Sequence, residues 1–328
     1  MIEAATAAPS LHNAQPWRFH CTPDAIELHA DPGRAAPATD PDHRELLLSC
    51  GAALVNLRLA IRALGVYPEV RCFPVTEQTD LLAVVRPQGK REPTPADQEL
   101  AAAIQRRHTN RRPFLPVPVP TPLHHRLRHA AEAERAWLAV VSPAQFPMLR
   151  GMLRRAHETQ RRDPAVLAEW QSWIERDEST PDRVWAGPAA AVLPRDPDGG
   201  QTENRLPGKD FQPSPLIAVI GSFHDNPLAR LQAGQAMQRV LLTATTAGLT
   251  TSFLSQVVQV PQTRTELRTL IGGGLWPQTL LRIGYGTPVS ATPRRPVEEV
   301  LNNPYPELGE SGPGGAGLAD VAVEGQSA

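Results

Sequence analysis

The sequence predicts a chain of mixed helices and strands arranged as two related halves, and three observations carry that expectation. Short apolar runs with period two are interspersed with longer runs at helical spacing. Two of the helical runs match each other: Gly51 to Gly65 spans the same fourteen residues as Gly234 to Gly248, and Ala53, Leu54, Leu57 and Leu59 fall opposite Ala236, Met237, Val240 and Leu242. The offset, 234 − 51 = 183 residues, reads as an internal repeat. The length of 328 residues suits about two lobes and is ample for a sizeable core.

Taken in order, residues 1–9 form a short helical segment that Pro9 ends. Trp17, Phe19 and Cys21 outline a strand by alternation, and Ile26-Glu27-Leu28-His29-Ala30 outlines its hairpin partner, closed by Asp31-Pro32-Gly33. A helix is predicted from Asp40-Pro41, an aspartate cap with proline at the first helical position, to Gly65, a left-handed stop. Along it Leu47, Cys50, Leu54, Leu57 and Ile61 recur at three and four residues, so one face belongs to the core. Strand-like stretches fill residues 69–85, before a polar turn at Gln88-Gly89-Lys90-Arg91. Pro113, Pro116, Pro118, Pro120 and Pro122 make a stiff extended connector. It reads as a spacer whose Val117 and Val119 pack on the body, in preference to a ligand for a proline-reading domain. Residues 126–141 give a helix and the strand Trp137–Val141, and residues 144–176 a long helical pattern with Trp170 and Trp173.

Regularity is lost from Asp177 to Pro215. A loop that long in a compact domain is a lid, a binding loop or disorder, and Trp185 and Phe211 favour a packed lid. The strand Leu216–Ile220 resumes the core, and a second long helix runs from Asn226-Pro227 to Gly248 with Leu231, Met237, Val240, Leu241 and Ala244 on its apolar face. Gly272-Gly273-Gly274 is a plain turn, because no lysine-serine pair follows as a phosphate loop requires. Leu280–Gly286 reads as a central strand and turn, and from Asn302 onward glycine, proline and acidic residues predict a disordered tail. The expected division is a first half at 1–105, a second half at 106–301 with a lid-like insertion at about 177–215, and a tail at 302–328.

Composition narrows the function. The formal net charge is −1 and aromatic residues make up 5% of the chain, so neither a global field nor a stacking platform recruits nucleic acid. Lys90 and Lys209 are the lysines, so 33 basic residues less two leaves 31 arginines. The fixed fork of arginine suits phosphate and carboxylate. Cys21, Cys50 and Cys72 are odd in number and lack CxxC spacing, which argues against a disulfide framework or a metal site. We find no apolar run of about 18 residues and no basic-then-apolar leader, so no membrane partner is expected and the cytoplasm is the expected location.

The stretch that carries chemistry is Pro9-Ser10-Leu11-His12-Asn13-Ala14-Gln15-Pro16-Trp17. The prolines isolate a loop in which a hydroxyl, an imidazole and two amides crowd together. A carboxamide both donates and accepts, so Asn13 and Gln15 suit the mixed edge of a flat heterocycle such as the flavin pyrimidine. The plainer reading is that they satisfy their own loop backbone. Ser10, His12, Asn13 and Gln15 stand in a stretch that resembles the PSxxNxQPW loop of the FMN-dependent nitroreductase family, closest to its Acg-like branch. The resemblance implies an α+β flavoprotein fold of antiparallel or mixed sheets flanked by helices, with this loop against the isoalloxazine ring. Family members are implied to be homodimers with flavin between subunits, so here two nitroreductase-like halves in one chain would form an intramolecular pseudo-dimer. A monomer or a weak homodimer is then expected.

Other segments extend the resemblance. Arg106-Arg107-His108-Thr109-Asn110-Arg111-Arg112-Pro113-Phe114 is similar to the segment that holds the ribityl phosphate in nitroreductases, with Arg107, His108, Thr109 and Arg111 on the matching positions and one residue extra before Phe114. A phosphate dianion asks for bidentate cations and short donors, which this run offers, although a solvated basic helix end has the same composition. Ser255 and Gln256 fall where the family faces the flavin N5, in place of a frequent glutamate. Arg294 and Arg295 resemble a C-terminal basic segment near the phosphate, or form a surface pair. The implied cofactor is FMN, with NADPH or NADH as reductant and a small-molecule acceptor such as a nitro or quinone compound. No catalytic side chain is singled out, because the cofactor carries the chemistry. The competing expectation uses the same site: an FMN storage or sequestering protein whose lid excludes nicotinamide.

Overall fold

The computed structural model describes residues 1–176 and 215–302, with side chains to Trp173 in the first span. Strand β1 (Trp17–Cys21) pairs antiparallel with β2 (Ile26–Ala30), as the alternation predicts; Trp17 and Phe19 are buried and Arg18 is exposed. With β3 (Val66–Cys72) and β4 (Leu81–Lys90) they form an antiparallel sheet of order β1-β2-β4-β3. The polar turn expected at Gln88–Arg91 is instead the end of β4, with Lys90 opposite Val66 and Gln88 opposite Tyr67. Backbone pairing decides there, and an exposed strand end needs no apolar side chains.

The second sheet contains β5 (Trp137–Val140), β6 (Leu216–Ser222), β7 (Thr250–Phe253) and β8 (Trp276–Gly284), all pairing antiparallel in the order β5-β6-β8-β7. Every residue of β6 is buried. Leu216, Ala218 and Ile220 enter the main core while Ile217 and Val219 enter a second one, which is why this strand reads as a continuous apolar run.

Between the sheets lie α2 (Arg44–Ala63) and α7 (Pro227–Thr246), ended at Gly65 and Gly248 with φ of +75° and +72°. Asn226 caps α7 as expected, its side chain accepting from Ala229 N at 2.9 Å. The start of α2 is displaced to Arg44, after His43 at φ 55°. Asp40 still serves it from a distance, because its carboxylate accepts from the Glu45 and Leu46 amides, both at 2.9 Å. The helices cross at their glycines. A Cβ on Gly51 would stand 2.9 Å from Gln235 N and closer still to Leu231 O, and one on Gly234 would stand 2.7 Å from Leu48 Cα. Each glycine thus meets the other's leucine, and the 183 residues that separate the glycines also separate the leucines. Against the expectation of no long apolar run, α2 is long and apolar enough to cross a membrane by length and composition; 78% of that window is buried within the fold.

Among the described residues the remaining α-helices are α1 (Ile2–Thr6), α3 (Pro95–Ala103), α4 (Thr121–Glu132), α5 (Phe146–Arg162), α6 (Pro164–Arg176), α8 (Gln256–Gln259), α9 (Pro261–Leu270) and α10 (Val297–Val300). The helix predicted over 144–176 is two, because Pro164 lacks an amide and starts a new helix after Asp163. In the connector Val119 is buried but Val117 is 45% exposed. After α10, Leu301 bridges Phe19 of β1 and Asn302 N donates to Phe19 O, so the end of the described chain closes on the first sheet. The segment expected to be a lid, with Trp185 and Phe211, lies outside the described residues except for Pro215, and so does the expected disordered tail beyond Asn302.

Candidate functional site

The loop between α1 and β1 takes an uncommon backbone form. His12, Asn13 and Gln15 have φ of 51°, 56° and 52°, in the left-handed region that costs a residue with a Cβ unless its surroundings enforce it. The enforcement is dense. Ser10 Oγ accepts from Gln15 N at 2.9 Å, Ala14 N donates to Leu11 O at 2.8 Å, and Gln15 Nε2 donates to Asn13 O at 3.4 Å. From outside, Arg34 Nε donates to Ala14 O, while Pro16 O accepts from Asp31 N at 3.0 Å and from the Cys50 thiol at 3.2 Å.

The C-terminal arginines close over this loop. Arg294 Nη1 donates to Asn13 Oδ1 at 3.1 Å, and Asn13 Nδ2 donates to Pro293 O at 3.1 Å. Arg295 N donates to Gln15 Oε1 at 3.0 Å. The amides therefore hold both the loop and its neighbour, and each retains a further donor or acceptor position.

Arg107 joins from the segment after α3. Its Nη2 and that of Arg294 donate to the same carbonyl, Ala7 O, at 3.3 and 3.4 Å. Arg107 is 3% exposed, and its buried Nε and Nη1 have no hydrogen-bond partner among the described residues. Burial, then the Arg294 charge, lowers its pKa to about 9. His108 is lowered by burial and by the same two arginines. His12 is lowered to about 4, first by burial and then by Arg111, so it is neutral at physiological pH. A cavity of about 320 Å³ opens beside Arg294, lined also by Thr6, Ala7, Gln105 and Arg295.

Thr109 bridges Thr251 of β7, and Asn110, a residue the motif reading passed over, donates from Nδ2 to Thr287 O at 2.8 Å and from its backbone to Thr251 O at 2.8 Å. The segment is thereby laid beside β7 and β8, with Arg282 over the Phe114 ring at 3.8 Å. Ser255 and Gln256 open α8; no hydrogen bond or ion pair among the described residues links them to the loop at 10–15. Sequence reasoning also missed Arg34, Asp31 and Cys50, which act on the loop across long chain separations and leave no local pattern.

No protein-family model matches the chain. Of proteins from Mycobacterium tuberculosis strain H37Rv, the one named "Putative NAD(P)H nitroreductase Rv3131" is 34% identical over 323 residues, covering 93% of this chain and 90% of its own. The one named "Putative NAD(P)H nitroreductase acg" is 30% identical over 321 residues, covering 92% and 94%. Among solved structures, a nitroreductase with bound FMN from Bacteroides fragilis aligns with a TM-score of 0.38 and 11% identity over 58% of this chain and 89% of that one.

Proposed function

This chain belongs to the NAD(P)H nitroreductase family that includes Acg, and on that premise we propose that it is an FMN-dependent oxidoreductase that uses NADPH or NADH to reduce a nitro or quinone compound. The observation that carries the cofactor assignment is Arg107. A buried guanidinium with two nitrogens unpartnered among the described residues, pressed against a second arginine, is costly unless an anion completes it. A phosphate dianion has the charge and the acceptor geometry to do so.

On this reading Arg107 and Arg294 hold the phosphate end, Thr109 and His108 flank it, and Ser10, His12, Asn13 and Gln15 border the ring. A bound flavin would supply the chemistry, accepting a hydride equivalent from nicotinamide and passing reducing equivalents to the acceptor. The protein supplies the rest. Asn13 and Gln15 orient the ring edge, the arginines neutralise the phosphate, and His12 offers a neutral imidazole at neutral pH. Arg111 is the cation that acts on His12, which favours a place for it nearer the ring loop than the phosphate.

The two sheet-and-helix units would be the halves of a pseudo-dimer; the matching strand orders and the reciprocal glycine contacts of α2 and α7 support that reading. One site per chain follows, built from residues 10–15, 107–111 and 294–295. The test is to quantify flavin released from denatured protein, then add NADPH without oxygen to the flavin-loaded chain. One equivalent that bleaches supports the proposal, two equivalents would remove the one-site architecture, and bound flavin that never bleaches would favour sequestration.

A further inference from the structure

The peptide unit between Ala14 and Gln15 is gripped at both ends. Its N–H, on Gln15, donates to Ser10 Oγ at 2.9 Å, and its carbonyl, on Ala14, accepts from Arg34 Nε. That peptide leads into the positive φ of Gln15, so its orientation decides whether the amides on either side keep their directions. The Ser10 grip lies within the loop. The Arg34 grip comes from outside, and the position of Arg34 is set by α6.

Two residues of α6 set it. The Glu169 carboxylate accepts from consecutive backbone amides, Ala38 N at 2.9 Å and Thr39 N at 3.0 Å, and ties the stretch after Arg34 to the helix. One turn further on, the buried Trp173 ring carries the Arg34 guanidinium on its face, 5.7 Å from the centroid. On the near side Asp31 accepts from Gly33 N at 3.2 Å and pairs with Arg18 at 2.9 Å, which fixes the turn from which Arg34 projects. An arginine side chain has several rotatable bonds and holds one carbonyl only if something else restrains it. Trp173 supplies that restraint.

We propose that Trp173 and Glu169 are positioning residues for the loop at 10–15, acting through Arg34 on the Ala14 carbonyl. The consequence for cofactor binding rests on the flavin reading above; the mechanical coupling does not. Loosening this grip disturbs the ring side of the site and leaves Arg107 and Arg294 in place, so riboflavin and FMN lose affinity by the same factor.

The experiment is hydrogen–deuterium exchange of the segment 8–17 in the full chain without added flavin, together with riboflavin and FMN titrations. The variants are Arg34→Gln, Trp173→Leu, Trp173→Phe, Glu169→Gln and, as a control buried on the same helix but outside the bridge, Val166→Ala. Trp173→Leu and Arg34→Gln should speed exchange about tenfold and weaken both flavins about tenfold. Glu169→Gln should do so less, and Trp173→Phe, which keeps an aromatic face, should stay near wild type. Val166→Ala should lower the melting temperature without changing exchange at 8–17. Unchanged exchange in Trp173→Leu and Arg34→Gln would overturn the proposal, as would equal acceleration in Val166→Ala; a loosened loop with unaltered flavin affinities would overturn its consequence for cofactor binding. A wild-type chain that binds no flavin would remove the proposed function, while the exchange data would still decide the coupling.

Discussion

Gly234→Ala adds one methyl group where α7 crosses α2, with its Cβ 2.7 Å from Leu48 Cα and 2.8 Å from Leu48 C. Carbon atoms rest at roughly 3.5 Å or more, so the helices must separate locally by at least about 0.8 Å, the Leu48 carbonyl oxygen standing closer still. The obstacle is backbone, and no rotamer change relieves it. Overpacking a well-filled core costs about 1–3 kcal/mol, and a backbone clash between two buried helices belongs at the upper end. Alanine recovers about 1 kcal/mol by its higher helix propensity. The expected net loss is therefore about 2 kcal/mol, read as a fall of about 4–8 °C in melting temperature at ~2–4 °C per kcal/mol. Thermal and urea unfolding followed by circular dichroism measure it. Gly51→Ala should behave alike, since its Cβ meets Gln235 N at 2.9 Å and Gly234 C at 3.0 Å. The double variant should cost less than the sum, because helices already separated by the first methyl group admit the second. A Gly234→Ala protein that is unchanged, or stabilised by about the propensity gain, would refute the close crossing and with it the main support for the paired halves.

Other expectations are sharper at the site. On the proposed reading Arg107→Ala removes a charge-assisted phosphate contact, and it should weaken FMN by about 1.5–3 kcal/mol and leave riboflavin nearly unchanged; equal losses in paired titrations would move Arg107 away from the phosphate. His12 has a folded pKa of about 4 against about 6.5 unfolded, so the unfolded chain binds more protons between those values. Stability should fall by up to about 3 kcal/mol as pH drops from 6.5 to 4, and the fall should be missing in His12→Gln when urea midpoints are compared across that range. Arg111→Ala should move the His12 titration upward, followed by NMR of the imidazole, because a repelling charge is removed. Asp225 accepts from Arg264, Arg230 and Gln278, which hold its carboxyl below the usual range despite partial burial. Its contribution is present above pH 4 and lost as pH falls further, so Asp225→Asn should be less stable at pH 7 and should lose less on acidification than wild type.

Much of the fold was legible where the determinant is local. Alternation at Trp17–Cys21 and Ile26–Ala30 marks a hairpin, because one face of each strand is buried. Gly65 and Gly248 mark helix ends because both require a positive φ that a Cβ resists. The start of α2 was misread because Asp40-Pro41 has the composition of a cap and first turn, whereas the carboxylate reaches the Glu45 and Leu46 amides across a left-handed His43. Val117 was misplaced because strict alternation around prolines says which residues share a side, and not whether that side meets the body. At the site, the amides and arginines were legible as a concentration of polar groups between prolines. Arg34 was not. It follows a plain Asp-Pro-Gly turn, and its partners are Ala14 and Trp173, far away in sequence in either direction.

The asymmetry between the two units explains why the loop at 10–15 stands in one of them. Set side by side by strand order, β1 corresponds to β5 and β2 to β6. Before β1 the chain runs from Ala7 to Pro16, long enough to carry serine, histidine and both amides. Before β5 it has Ala133 to Ala136, a tight turn with Arg135 at φ 61° whose Glu134 is occupied by Arg58 at 2.7 Å and Arg239 at 3.1 Å. Nothing of that length can reproduce the first loop. The second unit places its added length elsewhere, between β5 and β6, where the first unit has only the Thr22–Ala25 turn. That addition begins with α5 and α6, and α6 reaches back through Glu169 and Trp173 to the stretch that holds the loop before β1. Two units that share a strand order thus differ in what they add: one carries the loop before β1, and the other carries α6, which reaches the stretch that holds that loop.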